Sequence, residues 1–129
     1  MDTEPLFKKS RILKLYDLYE YQCIMFMFDY LSLNLPKSFE GVFIANKDLP
    51  NSRLTRQSNL IHIPQIKSQF SRKLPYYCVP SIWNEWARSI PNDHSRSEMK
   101  RLFKNTKLSE YPELVNCNNL FCRQCNQYQ

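Results

Sequence analysis

The sequence predicts a mainly α fold: a small single domain with a long aromatic helix near its amino terminus, a few short extended segments, and a pair of helices towards its carboxyl end. Three observations predict it. No Gly or Pro interrupts a helical period from Ile12 to about Asn34. Ser95 and Glu98 stand in the S-x-x-E spacing that starts helices, the serine oxygen taking the glutamate amide and the glutamate returning to the serine amide. Between these segments, prolines at 64 and 75 oppose central sheet strands. At 129 residues the chain has the size of one domain, able to bury roughly two-thirds of its unfolded surface.

In chain order, a polar start leads through Leu6-Phe7 into the basic cluster Lys8, Lys9, Arg11 and Lys14. In the first helix, Ile12, Tyr16, Tyr19, Cys23, Phe26, Tyr30 and Leu33 recur at three- and four-residue steps and define one face. Leu13, Leu15, Leu18, Ile24, Met25, Met27 and Phe28 make its second half apolar nearly all round, as a central helix requires. Asp17, Glu20 and Asp29 read as its solvated side, and Pro36 is expected to end it. Ser38 to Ile44 reads as a short helix or turn, and Asn46 to Gln57 as a polar surface loop carrying Arg53 and Arg56.

Short extended segments are expected at Leu60 to Ile63, around Ile66 and Phe70 among Lys67, Arg72 and Lys73, and at Tyr76 to Val79. A helix is expected to open at Pro80 or Ser81, run through Ile82, Trp83, Trp86 and Ala87, and close at Pro91-Asn92. The capping-box helix follows from about Ser95. Met99, Leu102 and Phe103 form its buried stripe, while Arg96, Lys100, Lys104 and Lys107 form an adjacent basic stripe that is expected to stay free. The first helix is expected to pack on Trp83, Trp86, Met99 and Phe103. The domain is drawn as residues 1–108, with a polar, Cys-containing tail over 109–129.

Composition narrows the function. The single glycine, Gly41, excludes the glycine-rich loops through which a backbone approaches phosphate, whether P-loop or dinucleotide turn. A net charge of +6 and a pI near 9.1 favour a polyanionic partner, because each phosphate neutralised releases counterions. The start Met-Asp-Thr-Glu-Pro lacks the basic-then-apolar order of a secretory signal. The longest apolar run, Cys23 to Phe28, falls far short of the roughly 20 residues a membrane helix needs. The expectation is an intracellular protein, cytoplasmic or nuclear, without a membrane partner.

The candidate nucleic-acid contacts are Lys8, Lys9, Arg11 and Lys14, then Arg53 and Arg56, then Lys67, Arg72 and Lys73, then Arg96, Lys100 and Lys104. They are interleaved with Tyr16, Phe70, Tyr76, Tyr77 and Trp83, a mixture suited to phosphate contact with base stacking. Taken cluster by cluster, the plainer reading is a set of solvated helix faces. Cys117, Cys122 and Cys125 form C-x4-C-x2-C, three corners of a zinc site whose fourth ligand has to come from Cys78, His62, His94 or another chain; the alternative is a tail of free thiols. His62 and His94 read as surface or turn histidines. Asp93 with Glu98-x-Lys100 has the order of a metal-dependent nuclease motif, but residues two apart on a helix point away from one another, and capping already explains Glu98.

The ordered set Leu6-Phe7-Lys8-Lys9, Ile12-Leu13, Thr55-Arg56, Ile61-His62-Ile63-Pro64, Tyr77, Pro80-Ser81-Ile82-Trp83-Asn84, Ile90, Ser97 and Phe103-Lys104 resembles the region after the polymerase domain in non-LTR, LINE-type (jockey-like) retrotransposon reverse transcriptases. The likeness covers nearly the whole chain to about Leu108 and is anchored on Pro-x-Ile-Trp-Asn. It departs at Val79, where the family usually has glycine, and at Trp86-Ala87, where it has Leu-Pro. The resemblance implies a segment that contacts template RNA or target DNA without chemistry of its own, since the chain has no adjacent aspartate pair to hold polymerase metals. It also implies an upstream polymerase domain as a neighbour. The competing class is a captured fragment whose first helix binds another protein.

Overall fold

The computed structural model describes residues 3–90 and 94–113, and its architecture is mainly α. Four helices carry it: α1 (Glu4–Ser10), α2 (Leu15–Leu31), α3 (Pro75–Ala87) and α4 (Arg96–Glu110). Where a polar start is expected, Pro5 and Glu4 in the first turn instead begin α1, proline costing nothing at a position whose amide has no helical partner. The helix ends at Arg11, in the left-handed region at φ 53°. There the amides of Arg11 and Ile12 turn back to the carbonyls of Lys8 and Phe7.

The aromatic helix is shorter than its period predicts. Lys14 is extended and caps α2, so Ile12 lies outside it. At the other end the chain turns well before Pro36: Leu33 sits at φ 57°, and the amides of Leu33 and Asn34 bond the carbonyls of Tyr30 and Asp29. This is a Schellman closure made without glycine.

Nor does α2 bury one continuous face. Cys23, Ile24, Met25 and Met27 are buried, whereas Ile12, Tyr16, Tyr19 and Leu33 are exposed. Near-consecutive positions are buried because α2 runs between two layers. On one side Cys23 and Met27 meet Ile61 and Val79. On the other, Ile24 and Met25 meet Met99 and Phe103, with Trp86 packed alongside. Ile82 and Trp83 border both clusters, so the expected packing of the first helix on Trp83, Trp86, Met99 and Phe103 is what the structure shows.

Tyr76 to Val79 are helical rather than extended. Pro75 is a first-turn proline that opens α3 several residues ahead of the expected start, and Pro80 lies inside the helix, fully buried, with no amide to offer the Tyr76 carbonyl. α3 stops at Ala87, ahead of Pro91-Asn92, which lies outside the described residues. Around Ser95 the capping box forms with both reciprocal bonds, at 3.3 and 2.8 Å.

Residues 32–74 wrap this core as turns and loop, with short 3-10 turns at Lys37–Phe39, Asn46–Asp48 and Ser71–Lys73. Of the expected extended segments, the one at Leu60 to Ile63 forms an isolated antiparallel bridge, Ala45 with Ile61. The Tyr30 hydroxyl donates to the Phe43 carbonyl and accepts from its amide, tying this loop to α2. Buried Asn84 holds the loop to α3: its Nδ2 donates to the Ile61 carbonyl at 2.7 Å, and its Oδ1 accepts the Ile61 amide at 2.9 Å.

Both the clamp and the turn can be tested by stability. Asn84→Ala leaves a buried amide and carbonyl of Ile61 without partners and should cost about 2–4 kcal/mol in urea unfolding; a loss below about 0.5 kcal/mol would refute the clamp. Leu33→Gly removes an 85 % exposed side chain from a left-handed position, and a thermal melt should show a gain of about 1 kcal/mol.

Candidate nucleic-acid interface

The structure sorts the basic residues into those occupied by the fold and those left over. Lys8 donates to the Tyr111 carbonyl at 3.0 Å and pairs with Glu113. Lys14 pairs with Glu4, and its ammonium stands 4.6 Å from the centre of the Tyr111 ring. Arg96 grips Asp29 through two bonds, 2.8 and 3.0 Å, and this guanidinium holds the Asp29 carboxyl below its ordinary range. Lys107 lies 2.9 Å from Glu20, with Asp17 and Glu110 close by. The expectation of a free stripe along α4 is therefore corrected at both ends: Arg96 and Lys107 are bound to α2, by the carboxylates that the sequence reads as its solvated side.

The cations between them are free. Lys100, Arg101 and Lys104 form no ion pair among the described residues, and with Arg11 they line a groove of about 600 Å³. Its apolar wall is Ile12, Leu13, Leu18 and Tyr21. On α4 the lining positions are Ser97, Lys100, Arg101, Lys104 and Asn105, the i, i+3, i+4, i+7, i+8 set of one helix face. Arg101 is not among the sequence candidates; this stripe, offset by one residue from Lys100 and Lys104, is the signal that finds it. The Arg11 guanidinium donates to the side-chain Oδ1 of Asn105 at 3.4 Å, which joins the two walls at one end. The groove can accept negative charge along one wall and flat or apolar groups along the other.

The other candidates do not join this groove. Lys9 is exposed on the last turn of α1, and Arg53 on the 46–60 loop. Arg72 and Lys73 lie on the 3-10 turn before α3, next to exposed Phe70. Lys67 and Tyr77 line a separate cleft. Arg56 faces a third cavity, beside the tryptophans.

Cys117, Cys122 and Cys125 lie outside the described residues, as does Asp93. Among the described residues no three His, Cys, Asp or Glu side chains are grouped as a metal requires. Cys78 donates its thiol to the Arg72 carbonyl at 2.8 Å. The Tyr19 hydroxyl lies against the thiols of Cys23 and Cys78, and burial with these neighbours pushes its pKa up to about 12.

Beyond Leu108 the packed body continues. α4 runs to Glu110, and Tyr111 is only 5 % exposed. Its hydroxyl donates to Asp17 and accepts the Lys14 amide at 3.0 Å, fixing the α1–α2 corner that forms one end of the groove. No helix among the described residues is long and apolar enough to cross a membrane. Compared with known protein families, curated proteins and solved structures, the chain matches none.

Burial, then the Asp17 hydrogen bond, raises the Tyr111 hydroxyl from 10.0 to about 12. A group whose folded pKa is raised lends stability that is complete below its unfolded value and lost as the pH climbs through the folded one. Stability should therefore fall between about pH 10 and 12. Tyr111→Phe should lose about 1 kcal/mol at neutral pH and show a shallower alkaline decline. Parallel declines in the two proteins would contradict this role.

Proposed function

We propose that this chain is a non-catalytic nucleic-acid-binding segment whose contact surface is the groove between the α1–α2 corner and α4. The observation that carries the reading is the convergence of Arg11, Lys100, Arg101 and Lys104, drawn from two distant parts of the sequence, beside Ile12, Leu18 and Tyr21. Cations on one wall suit a phosphate backbone, and an apolar, aromatic wall opposite suits unpaired bases better than a closed duplex. The net charge of +6 supports attraction at longer range. The resemblance to a post-polymerase segment of a retrotransposon reverse transcriptase supports the same class, with RNA or DNA as the partner and an upstream polymerase domain as the neighbour. In this reading Lys8, Lys14 and Arg96 position structure rather than phosphate.

A second reading, a protein-interaction segment, is favoured by one specific observation. Leu15, Leu18 and Tyr19 are exposed at i, i+3 and i+4 on the first half of α2, with exposed Tyr16 beside them, an apolar patch next to exposed Ile12 ahead of the helix.

Binding to single-stranded RNA across a salt series separates the two. Affinity should fall linearly on logarithmic axes, and Lys100→Glu with Lys104→Glu should lower the slope by about 0.7 for each phosphate no longer neutralised. Absence of binding at low salt, or an unchanged slope in the double variant, would overturn the groove and leave the apolar patch as the better account.

A further inference from the structure

Trp83 and Trp86 have a second surface. Besides meeting α2 and α4, both line a cleft of about 740 Å³, a size in the range of about 300–1,000 Å³ typical of small-ligand sites. Phe28 and Met99 extend its apolar wall. The 46–60 loop brings Arg56, Gln57 and Asn59 to the cleft, and Arg88 and His94 come from beyond α3. Arg56 and Arg88 are exposed and form no ion pair among the described residues, and the described lining contains no carboxylate.

These wall chemistries restrict the occupant. Two indoles in the wall offer aromatic surface suited to stacking a planar group. Two guanidiniums provide forked donors for an oxyanion, phosphate above all. The Gln57 and Asn59 amides each offer a donor and an acceptor to a heteroaromatic edge. A sugar would leave its hydroxyl donors without the carboxylates that usually accept them, and an acyl chain would meet polar groups from the loop. We infer that this cleft binds one nucleotide unit, with the base against Trp83 and Trp86 and the phosphate on Arg56 and Arg88. The site is built from side chains and needs no glycine-rich loop. Because Lys100, Arg101, Lys104 and Arg11 do not line it, it stands or falls apart from the groove.

Trp83 and Trp86 are the only tryptophans in the chain, so intrinsic fluorescence excited beyond the absorption of adenine reads this cleft directly. Adenosine 5′-monophosphate should quench it saturably, adenosine about tenfold more weakly for want of the charge-assisted bonds, and inorganic phosphate should not quench. Arg56→Glu with Arg88→Glu, both at exposed positions, should weaken the monophosphate at least about tenfold with the far-ultraviolet spectrum unchanged. Lys100→Glu with Lys104→Glu should leave it unaltered. A short oligoadenylate saturating at lower concentration than the monophosphate assigns the site to a unit of a strand; the reverse order assigns it to the free nucleotide. Lack of saturable quenching by the monophosphate, or quenching undiminished in the Arg56/Arg88 variant, would overturn the inference.

Discussion

The amide of Asn84 is the interaction on which the surface of this protein depends. A polar side chain buried in a core normally costs stability unless each of its groups finds a partner. Asn84 meets that condition by acting as a strand edge: it gives one bond to the Ile61 carbonyl and takes one from the Ile61 amide. Ile61 in turn forms the bridge with Ala45 that closes the 46–60 loop. One side chain on α3 thereby fixes a loop that has no sheet to join. Together with the burial of Ile61 against Cys23, Met27 and Val79, that bond pair sets the position of the wall carrying Arg56 relative to Trp83, the residue preceding Asn84 on α3.

The same economy governs α2. Lying between two apolar layers, it must be hydrophobic on opposite sides, so its buried residues fall at 23, 24, 25 and 27 instead of following a single helical stripe. Trp83 and Ile82 border both layers and make them one core. The first half of α2 extends past this support, which leaves Leu15 and Tyr16 in solvent although they continue the periodicity of the buried half. Periodicity reports what a helix can bury; neighbours decide what it does bury.

That distinction explains how much was legible in the sequence. The start of α4, expected at about Ser95, could be read closely because its signal is local: Ser95 and Glu98 satisfy each other. The start of α3 could not, since Pro75 is equally a strand breaker and a favoured first-turn residue, and only packing of Val79 and Pro80 chooses between them. α1 was invisible because seven residues do not make a stable helix alone; Lys8 on Tyr111 and Lys14 on Glu4 hold it from outside. The cations were readable one by one, but which remained free was not. That depends on Asp17, Glu20 and Asp29, whose partners lie dozens of residues away. Asn84 stood in the sequence only as the last residue of Pro-x-Ile-Trp-Asn; its clamp on Ile61, a contact between residues distant in sequence, gave no signal.

The basic groove follows from how charge is spaced along α2. Arg96, at the start of α4, reaches Asp29 near the end of α2, and Lys107, near the end of α4, reaches Glu20 near its start. The helices are therefore antiparallel and pinned at both ends. Exposed ion pairs contribute little to stability, but two of them at opposite ends select one register. Between those pins, residues 21–28 of α2 read Tyr-Gln-Cys-Ile-Met-Phe-Met-Phe and contain no carboxylate. Lys100, Arg101 and Lys104 fall in the interval of α4 between the two pins and line the groove beside Leu18 and Tyr21, so the register that seats Met99 and Phe103 in the core also leaves those three cations outside any ion pair among the described residues. Core packing and the charge of the groove are one consequence of the same alignment. A shift by one turn would exchange free cations for paired ones only by withdrawing Phe103 from its fully buried seat.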